Sequence, residues 1–440
     1  MSNKLQPVRG THDILPDDFE KFAAVTNRAR ELATLYGFRE MATPIFEATE
    51  VFSRSMGETS DVVSKEMFTF DTRGGESVTL RPEFTAGIAR AFISNGMQQN
   101  LPLKLFSTGP LFRYERPQKG RQRQFHQVNF EWLGDDSWMA DVEVILLAGH
   151  LLHSLSGGKS CTLHINTLGD KESREKYRAA LVSYLMPFAD KLSEDSKRRL
   201  TQNPLRILDS KDNGDREILK NAPKMTDYLS PTAKERFDTV CNQLFIHKQN
   251  TLFSQDIKID TSLVRGLDYY NDIVFEFVGE TGDFGAQNTV LAGGRYDGLI
   301  DQMGGKPTPA IGFAAGVERV LLFGEPEKIP EKIKVMVFPF DDQVIEGLYI
   351  TESLRTCLHD FMLEKFINRP ISVDILWQGT LTKRLEKAAK NGVTHAVILP
   401  PDEVKEEKCI IKNMATREEQ KVLWNDFADM EKLAKIFNIV

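Results

Sequence analysis

The sequence predicts an α+β protein: an antiparallel sheet flanked by helices, interrupted by an all-helical insertion and followed by a separate C-terminal α/β domain. Three observations carry that expectation. Segments between Ser77 and Leu133 alternate apolar and polar residues with period two. From about Gly169 to Asn250 the apolar residues instead recur at helical spacing. Beyond residue 331 the runs VMVF, ISVDIL and HAVIL are separated by helical stretches, the spacing of a βαβαβ unit. The expected boundaries are 1–325 for the first domain, 170–252 for the insertion within it, and 331–440 for the last.

The first element is a helix over Asp17–Tyr36. Asp17 and Asp18 suit its positive N-terminus, Phe22, Ala29, Leu32, Ala33 and Tyr36 form its stripe, and Gly37 closes it. FREMATPIFE reads as a strand broken at Pro44, which cannot donate to a ladder. In FHQVNFEWL, His126, Val128, Phe130 and Trp132 share a core face, while Phe125, Gln127, Asn129 and Glu131 share the other. GPLFRYE likewise puts Arg113 and Glu115 on one face, so the two segments form a hairpin with a long cationic loop over residues 116–124. An apolar helix over Asp141–Leu155 covers the sheet. Tyr177, Ala180, Leu181, Tyr184 and Leu185 begin the insertion, with further helices around Leu200 and Phe237. IVFEFV (Ile273–Val278) restores strand character, and PAIGFAAGVERVLLF is a strand, turn and helix. GEPEKIPEK (Gly324–Lys332) is the linker. Helices over Leu348–Phe366 and Leu381–Lys390, the second capped by Gly392, complete the C-terminal unit.

Composition excludes several classes. With 440 residues the chain holds roughly three domains at about 150 residues each. Its 41% hydrophobic and 27% charged residues are those of a soluble globular protein. No apolar run approaches the ~18 residues a membrane span needs, and the N-terminus lacks a secretory pattern. The 4 cysteines are far apart without a C-x-x-C pair, and the 8 histidines form no H-x-x-x-H pair, so neither a disulfide framework nor a metal site is expected. Reduced thiols fit a cytoplasmic protein.

The formal net charge is −7, so any polyanion must be met by a local patch. FRYERPQKGRQRQF (Phe112–Phe125) is that patch: Arg113, Arg116, Lys119, Arg121 and Arg123 stand against Glu115 alone. Guanidinium groups stay charged and grip phosphate oxygens through paired N–H bonds. Three further stretches accompany it: SLVRGLDYYNDIVFEF, LAGGRYDGL, and AIGFAAGVERV with Gly312, Gly316 and Arg319. Singly, each has a bland reading as a solvated turn, packed tyrosines or a glycine bend.

Jointly these stretches resemble the class II aminoacyl-tRNA synthetases and, within that class, the histidyl-tRNA synthetase family of bacterial type. MATPIFE around Pro44 is similar to the first class motif, which builds the dimer interface. TLRPEFTAG (Thr79–Gly87) and FRYERPQKGRQRQFHQ (Phe112–Gln127) match the region around the second, and VERV at Arg319 the third. RGLDYY (Arg265–Tyr270) and GGRYDGL (Gly293–Leu299) resemble two motifs peculiar to the histidine enzyme. The resemblance covers essentially the whole chain; Phe84 departs from it, standing where many bacterial members have glycine.

The resemblance implies a class II catalytic domain with a helical insertion and a C-terminal anticodon-binding domain. It implies histidine–tRNA ligation: histidine and ATP form histidyl-adenylate and pyrophosphate, and the histidyl group then passes to the 3′-terminal adenosine of tRNA(His). Arg113 and Arg265 would act on the α-phosphate. Glu83, Phe84, Thr85 and Gln127 would line the amino-acid pocket with Glu131, Arg265, Tyr269 and Tyr270, the carboxylate and tyrosines reading the imidazole. Arg113, Glu115, Arg121 and Arg319 would hold ATP, which would arrive with Mg2+, and Arg116 and Gln118 would lie at the tRNA acceptor end. A homodimer without a membrane partner is implied. The rival reading is a non-catalytic, histidine-binding regulatory paralogue; such chains usually lack the C-terminal domain and the arginines present here.

Overall fold

The computed structural model describes residues 5–57, 62–250, 253–264, 267, 269–280, 288–324, 332–365 and 370–439. Residues 1–327 and 328–440 form two compact units.

The first unit is built on an eight-stranded sheet. In spatial order its strands are Arg39–Glu40, Leu103–Phe112, Gln124–Leu133, Ala310–Gly316, Thr289–Arg295, Asn271–Gly279, Cys161–Thr167 and Asp256–Ile259. The six inner strands are mutually antiparallel, and the two edge strands pair in parallel. Such a sheet can keep one face apolar and leave the other polar. Val128, Phe130 and Trp132 enter a core shared with the helices Pro16–Leu35 and Trp138–Leu155. Gln127, Asn129 and Glu131, on the opposite face, look into a cavity.

Helix Trp138–Leu155 is apolar nearly all round, with mean hydropathy 1.2, and is long and apolar enough to cross a membrane, against the expectation that no apolar run reaches that length. Most of it is buried behind the sheet, which accounts for its composition. Its N-terminus is capped by the Ser137 hydroxyl, which accepts from the Ala140 N–H at 3.4 Å.

The chain departs from simple alternation between Ser77 and Leu133. Strand Ser77–Leu80 is followed by helix Thr85–Ser94, whose apolar residues in TAGIARAF escaped the period-two reading. Pro82 ends the strand, and the Glu83 carboxylate accepts from the Thr85 and Ala86 N–H groups at 2.6 and 2.7 Å, starting the helix. Either side of Pro44 the chain enters different sheets: Arg39–Glu40 joins the large one, while Phe46–Ala48 pairs with Ser77–Leu80 in a three-stranded sheet.

In the stretch from Lys171 to Gln249 the regular elements are all helices. Tyr177, Leu181, Leu185, Leu200 and Ile207 form its own small core. Asp215, fully buried, accepts from the hydroxyls of Ser193, Ser196 and Ser210 at 2.6–2.7 Å and ties three segments of it together. Its last helix, Pro231–Gln249, behaves differently: Phe237, Val240 and Leu244 are buried in the core of the large sheet.

The second unit has five strands in the order Ile371–Ile375, Ile333–Pro339, His395–Leu399, Lys408–Asn413 and Glu419–Leu423. The first three are parallel, linked through helices Val344–Lys365 and Leu381–Lys390, and the last two are antiparallel. The last two strands, KCIIKN and EQKVL, lay beyond the expected unit because lysine, glutamate and glutamine break up their apolar residues.

Candidate active site

A cavity of about 570 Å³ opens on the polar face of the large sheet. One end is organised around Glu131, which is 1% exposed. Its carboxylate accepts from the Thr85 hydroxyl at 2.5 Å, the Asn129 amide at 3.0 Å and the Tyr296 hydroxyl. Gly312 faces it across the sheet, and a β-carbon there would stand 1.8 Å from Glu131 Oε2, so glycine is required by the close approach. Burial pushes the Glu131 carboxyl up to about 7, against the donors Thr85, Tyr296 and Asn129.

A carboxyl held above its ordinary 4.5 in the folded chain contributes stability that is complete below pH 4.5 and is lost as pH rises through about 7. Two to three pH units correspond to roughly 3 kcal/mol. Without ligands, the wild type is expected to lose about that much more stability than Glu131→Gln between pH 5 and 8, read from urea midpoints. Equal losses in the two proteins refute the assignment.

Tyr269 and Tyr270 stand beside this end with their rings 4.8 Å apart. Burial holds the Tyr269 phenol well above its ordinary value. A β-carbon at Gly294 would lie 2.9 Å from the Tyr270 ring, so this glycine lets the ring lie against the sheet. Glu83, fully buried, is raised by desolvation against the N–H groups it caps and the nearby Arg113.

The other end is cationic. Arg113 donates from Nε to the Pro82 carbonyl at 2.9 Å and lies over the Phe125 ring at 5.4 Å. Arg121 pairs with Glu115 at 3.0 Å. Arg319, on helix Val317–Phe323, donates from Nε to the Thr289 carbonyl at 2.7 Å, and burial followed by the like charge of Arg121 lowers its pKa. This convergence of guanidiniums in a partly dry cleft suits a polyphosphate.

The cavity therefore gathers Glu83, Thr85, Gln127, Glu131, Tyr269 and Tyr270 with Arg113, Glu115, Arg121 and Arg319. Phe84 is not brought in. Its ring is 1% exposed, packed in an apolar cluster with the Arg81 guanidinium 4.5 Å from its centroid, so it is core and not a pocket wall. Arg116 and Gln118 lie on the exposed loop beyond the cavity. Arg265 lies outside the described residues. Sequence reading missed Asn129 and Tyr296 as partners of Glu131. Asn129 was legible from its shared face; Tyr296 follows Arg295 in GGRYDGL, but nothing local aimed it at a residue on another strand.

An antiparallel sheet bearing such a cavity, with arginines supplied by a hairpin loop and by the helix after a later strand, defines the catalytic domain of a class II aminoacyl-tRNA synthetase. The family model described as histidyl-tRNA synthetase matches residues 10–320. The histidine–tRNA ligase of Rhodospirillum rubrum is 48% identical over 420 residues, covering 95% of this chain and 96% of that one. That of Gluconobacter oxydans is 45% identical, with 96% and 97% covered. The crystal structure of apo histidyl-tRNA synthetase from S. aureus superposes with a TM-score of 0.78 at 31% identity, covering 98% of this chain and 100% of the other. The chain belongs to the histidyl-tRNA synthetase family.

Proposed function

We propose that the cavity binds histidine at its Glu131 end and ATP at its arginine end, so that the amino-acid carboxylate faces the α-phosphate. The chain is an ATP-dependent histidine–tRNA ligase, forming histidyl-adenylate and pyrophosphate before transfer to the 3′-terminal adenosine of tRNA(His). The observation that carries the residue assignment is the meeting, in one cavity, of a buried, triply hydrogen-bonded carboxylate with Arg113 and Arg319.

Attack of a carboxylate on a phosphate brings two anions together, so positioned cations at the equatorial oxygens lower the barrier. Arg113 and Arg265 take that role, and Arg121 and Arg319 hold the outer phosphates with Glu115 orienting Arg121. Glu83, Gln127 and Thr85 receive the substrate amine. Glu131, Tyr269 and Tyr270 hydrogen-bond the imidazole nitrogens; an analogue lacking them would leave buried polar groups unpaired, a penalty on the order of 10⁴ in selectivity. Magnesium would come with ATP, held chiefly by its phosphates; Glu115 and Glu276 are the carboxylates on the cavity wall that would be available to it, and Mg2+ typically takes one or two.

Arg116 and Gln118, exposed on the cationic loop, meet the tRNA acceptor end, and residues 331–440 bind the anticodon region. Phosphate contacts there would supply affinity and salt dependence. The segment around Pro44 supports a homodimer: Phe46 and Phe70 on the three-stranded sheet, and Ile45 just ahead of it, are exposed large apolar side chains. Buried free thiols at Cys161, Cys241 and Cys409, each pushed up to about 12 by burial, support a reducing cytoplasm.

The test is pyrophosphate exchange into ATP by the purified protein, with the amino acids in competition. Exchange is expected with histidine and not with the others. A folded protein showing none with histidine would instead support the regulatory, histidine-binding reading.

A further inference from the structure

The segment that carries Tyr270 is held in place from the helical insertion. The guanidinium of Arg174, on the insertion's first helix Lys171–Leu185, donates from Nη1 to the Tyr270 carbonyl at 3.2 Å. Two residues on, Asp272 adopts a left-handed backbone at φ 49°, unusual for a residue with a side chain. It is fixed there from the root of the same insertion. Its N–H donates to the Gly169 carbonyl at 3.1 Å, its carbonyl accepts from the Leu168 N–H at 2.7 Å, and Thr167 donates to its carboxylate at 3.0 Å. Arg236, on the insertion's last helix, reaches the other carboxylate oxygen at 3.3 Å. Asn271 between them exchanges two hydrogen bonds with Asp297, at 3.0 and 2.7 Å.

The root is itself built tightly. Asp170 caps helix Lys171–Leu185 by accepting from the Ser173 N–H at 2.8 Å, and it accepts from the Ser230 hydroxyl at 2.5 Å. The Ser230 N–H in turn donates to the Ser173 hydroxyl at 2.8 Å, so the first and last helices of the insertion are joined where Arg174 and Arg236 leave them. The Tyr269–Asp272 segment is therefore bracketed by two arginines from the same module that places Asp209 and Lys211 on the cavity wall.

We infer that the helical insertion is part of the histidine-recognition apparatus, with Arg174 the positioning residue that sets Tyr270 against the substrate ring. This rests on the reading that Tyr269 and Tyr270 face histidine. It gives the insertion a role in the first, tRNA-independent step of the reaction.

The experiment is pyrophosphate exchange by the full-length enzyme, with Arg174→Ala, Arg174→Lys and Tyr270→Phe. Loss of one hydrogen bond from a charged donor is expected to raise the histidine KM about tenfold in Arg174→Ala, with the ATP KM within about twofold. Arg174→Lys keeps a charged donor and is expected to recover part of the affinity; it carries the same test should the alanine variant fail to fold. Arg198→Ala, in an exposed pair with Asp195 on the same module, is expected to change neither KM. A general loss of fold would move both substrates together. The inference is overturned if Arg174→Ala and Arg174→Lys leave the histidine KM within twofold, or raise both KM values equally, while Tyr270→Phe raises the histidine KM. If Tyr270→Phe itself leaves the histidine KM unchanged, the underlying placement of the tyrosines fails instead.

Discussion

Replacing Arg113 with glutamine is expected to slow histidine-dependent pyrophosphate exchange by about 10²–10³ while changing the histidine KM little. Arg113 lines the cavity where its walls carry Arg121 and Arg319, and its Nε is anchored on the Pro82 carbonyl at 2.9 Å. A guanidinium so anchored is oriented before substrate arrives and needs no reorganisation as charge gathers on the α-phosphate. Arg113→Lys keeps the charge but loses the planar fork, so an intermediate rate is expected. Single-turnover adenylate formation separates the chemical step from binding. A fall in rate matched by an equal rise in both KM values would assign Arg113 to ground-state binding.

Arg295→Leu is expected to cost about 3–5 kcal/mol of stability to the first unit without being a substitution in the cavity. Arg295 has no exposed surface and donates to Asp141 at 2.8 and 2.7 Å, to Asp297 at 3.1 Å and to the Asp135 carbonyl at 3.0 Å. Burial alone would lower its pKa, but Asp141 and Asp297 outweigh that and raise it, so the group stays charged. Asp141 is equally buried, and its second oxygen is held by Arg236 at 2.9 and 2.7 Å. Leucine would leave the Asp141 carboxylate short of one of its two cations in a medium that cannot solvate it, and would strip the half-buried Asp297 of its partner. Urea denaturation, followed by hydrogen exchange of helix Trp138–Leu155, measures the cost; a loss below about 1 kcal/mol would mean Arg236 alone suffices.

Much of this architecture was legible in the residues, for physical reasons. Alternation in FHQVNFEWL separates Val128, Phe130 and Trp132 from Gln127, Asn129 and Glu131, because one side of that strand meets helices and the other the cavity. Helix Leu381–Lys390 and its close at Gly392, φ 69°, follow from a run of helix formers ended by the one residue that adopts that backbone freely. Helix Thr85–Ser94 was hidden because its start depends on a side chain, Glu83, caught by backbone N–H groups rather than on periodicity. The partners of Glu131 come from three separate segments. Their meeting is tertiary, and only the family resemblance made part of it readable in advance. Phe84 is the reverse case: its place within a motif suggested a pocket wall, and packing under Arg81 made it core.

The burial of Phe237, Val240 and Leu244 behind the large sheet bears on how this lineage can be trimmed. Excision of 170–252 as one block would strip the sheet of part of its rear covering and leave an apolar scar prone to aggregation. A shortened enzyme that keeps helix Pro231–Gln249 and closes the chain ahead of Ser230 would spare that covering but give up Arg174 and its hold on Tyr270. Gain and loss of length in natural relatives should accordingly fall on the outer helices, with the final one retained as a fixture of the nucleus it completes.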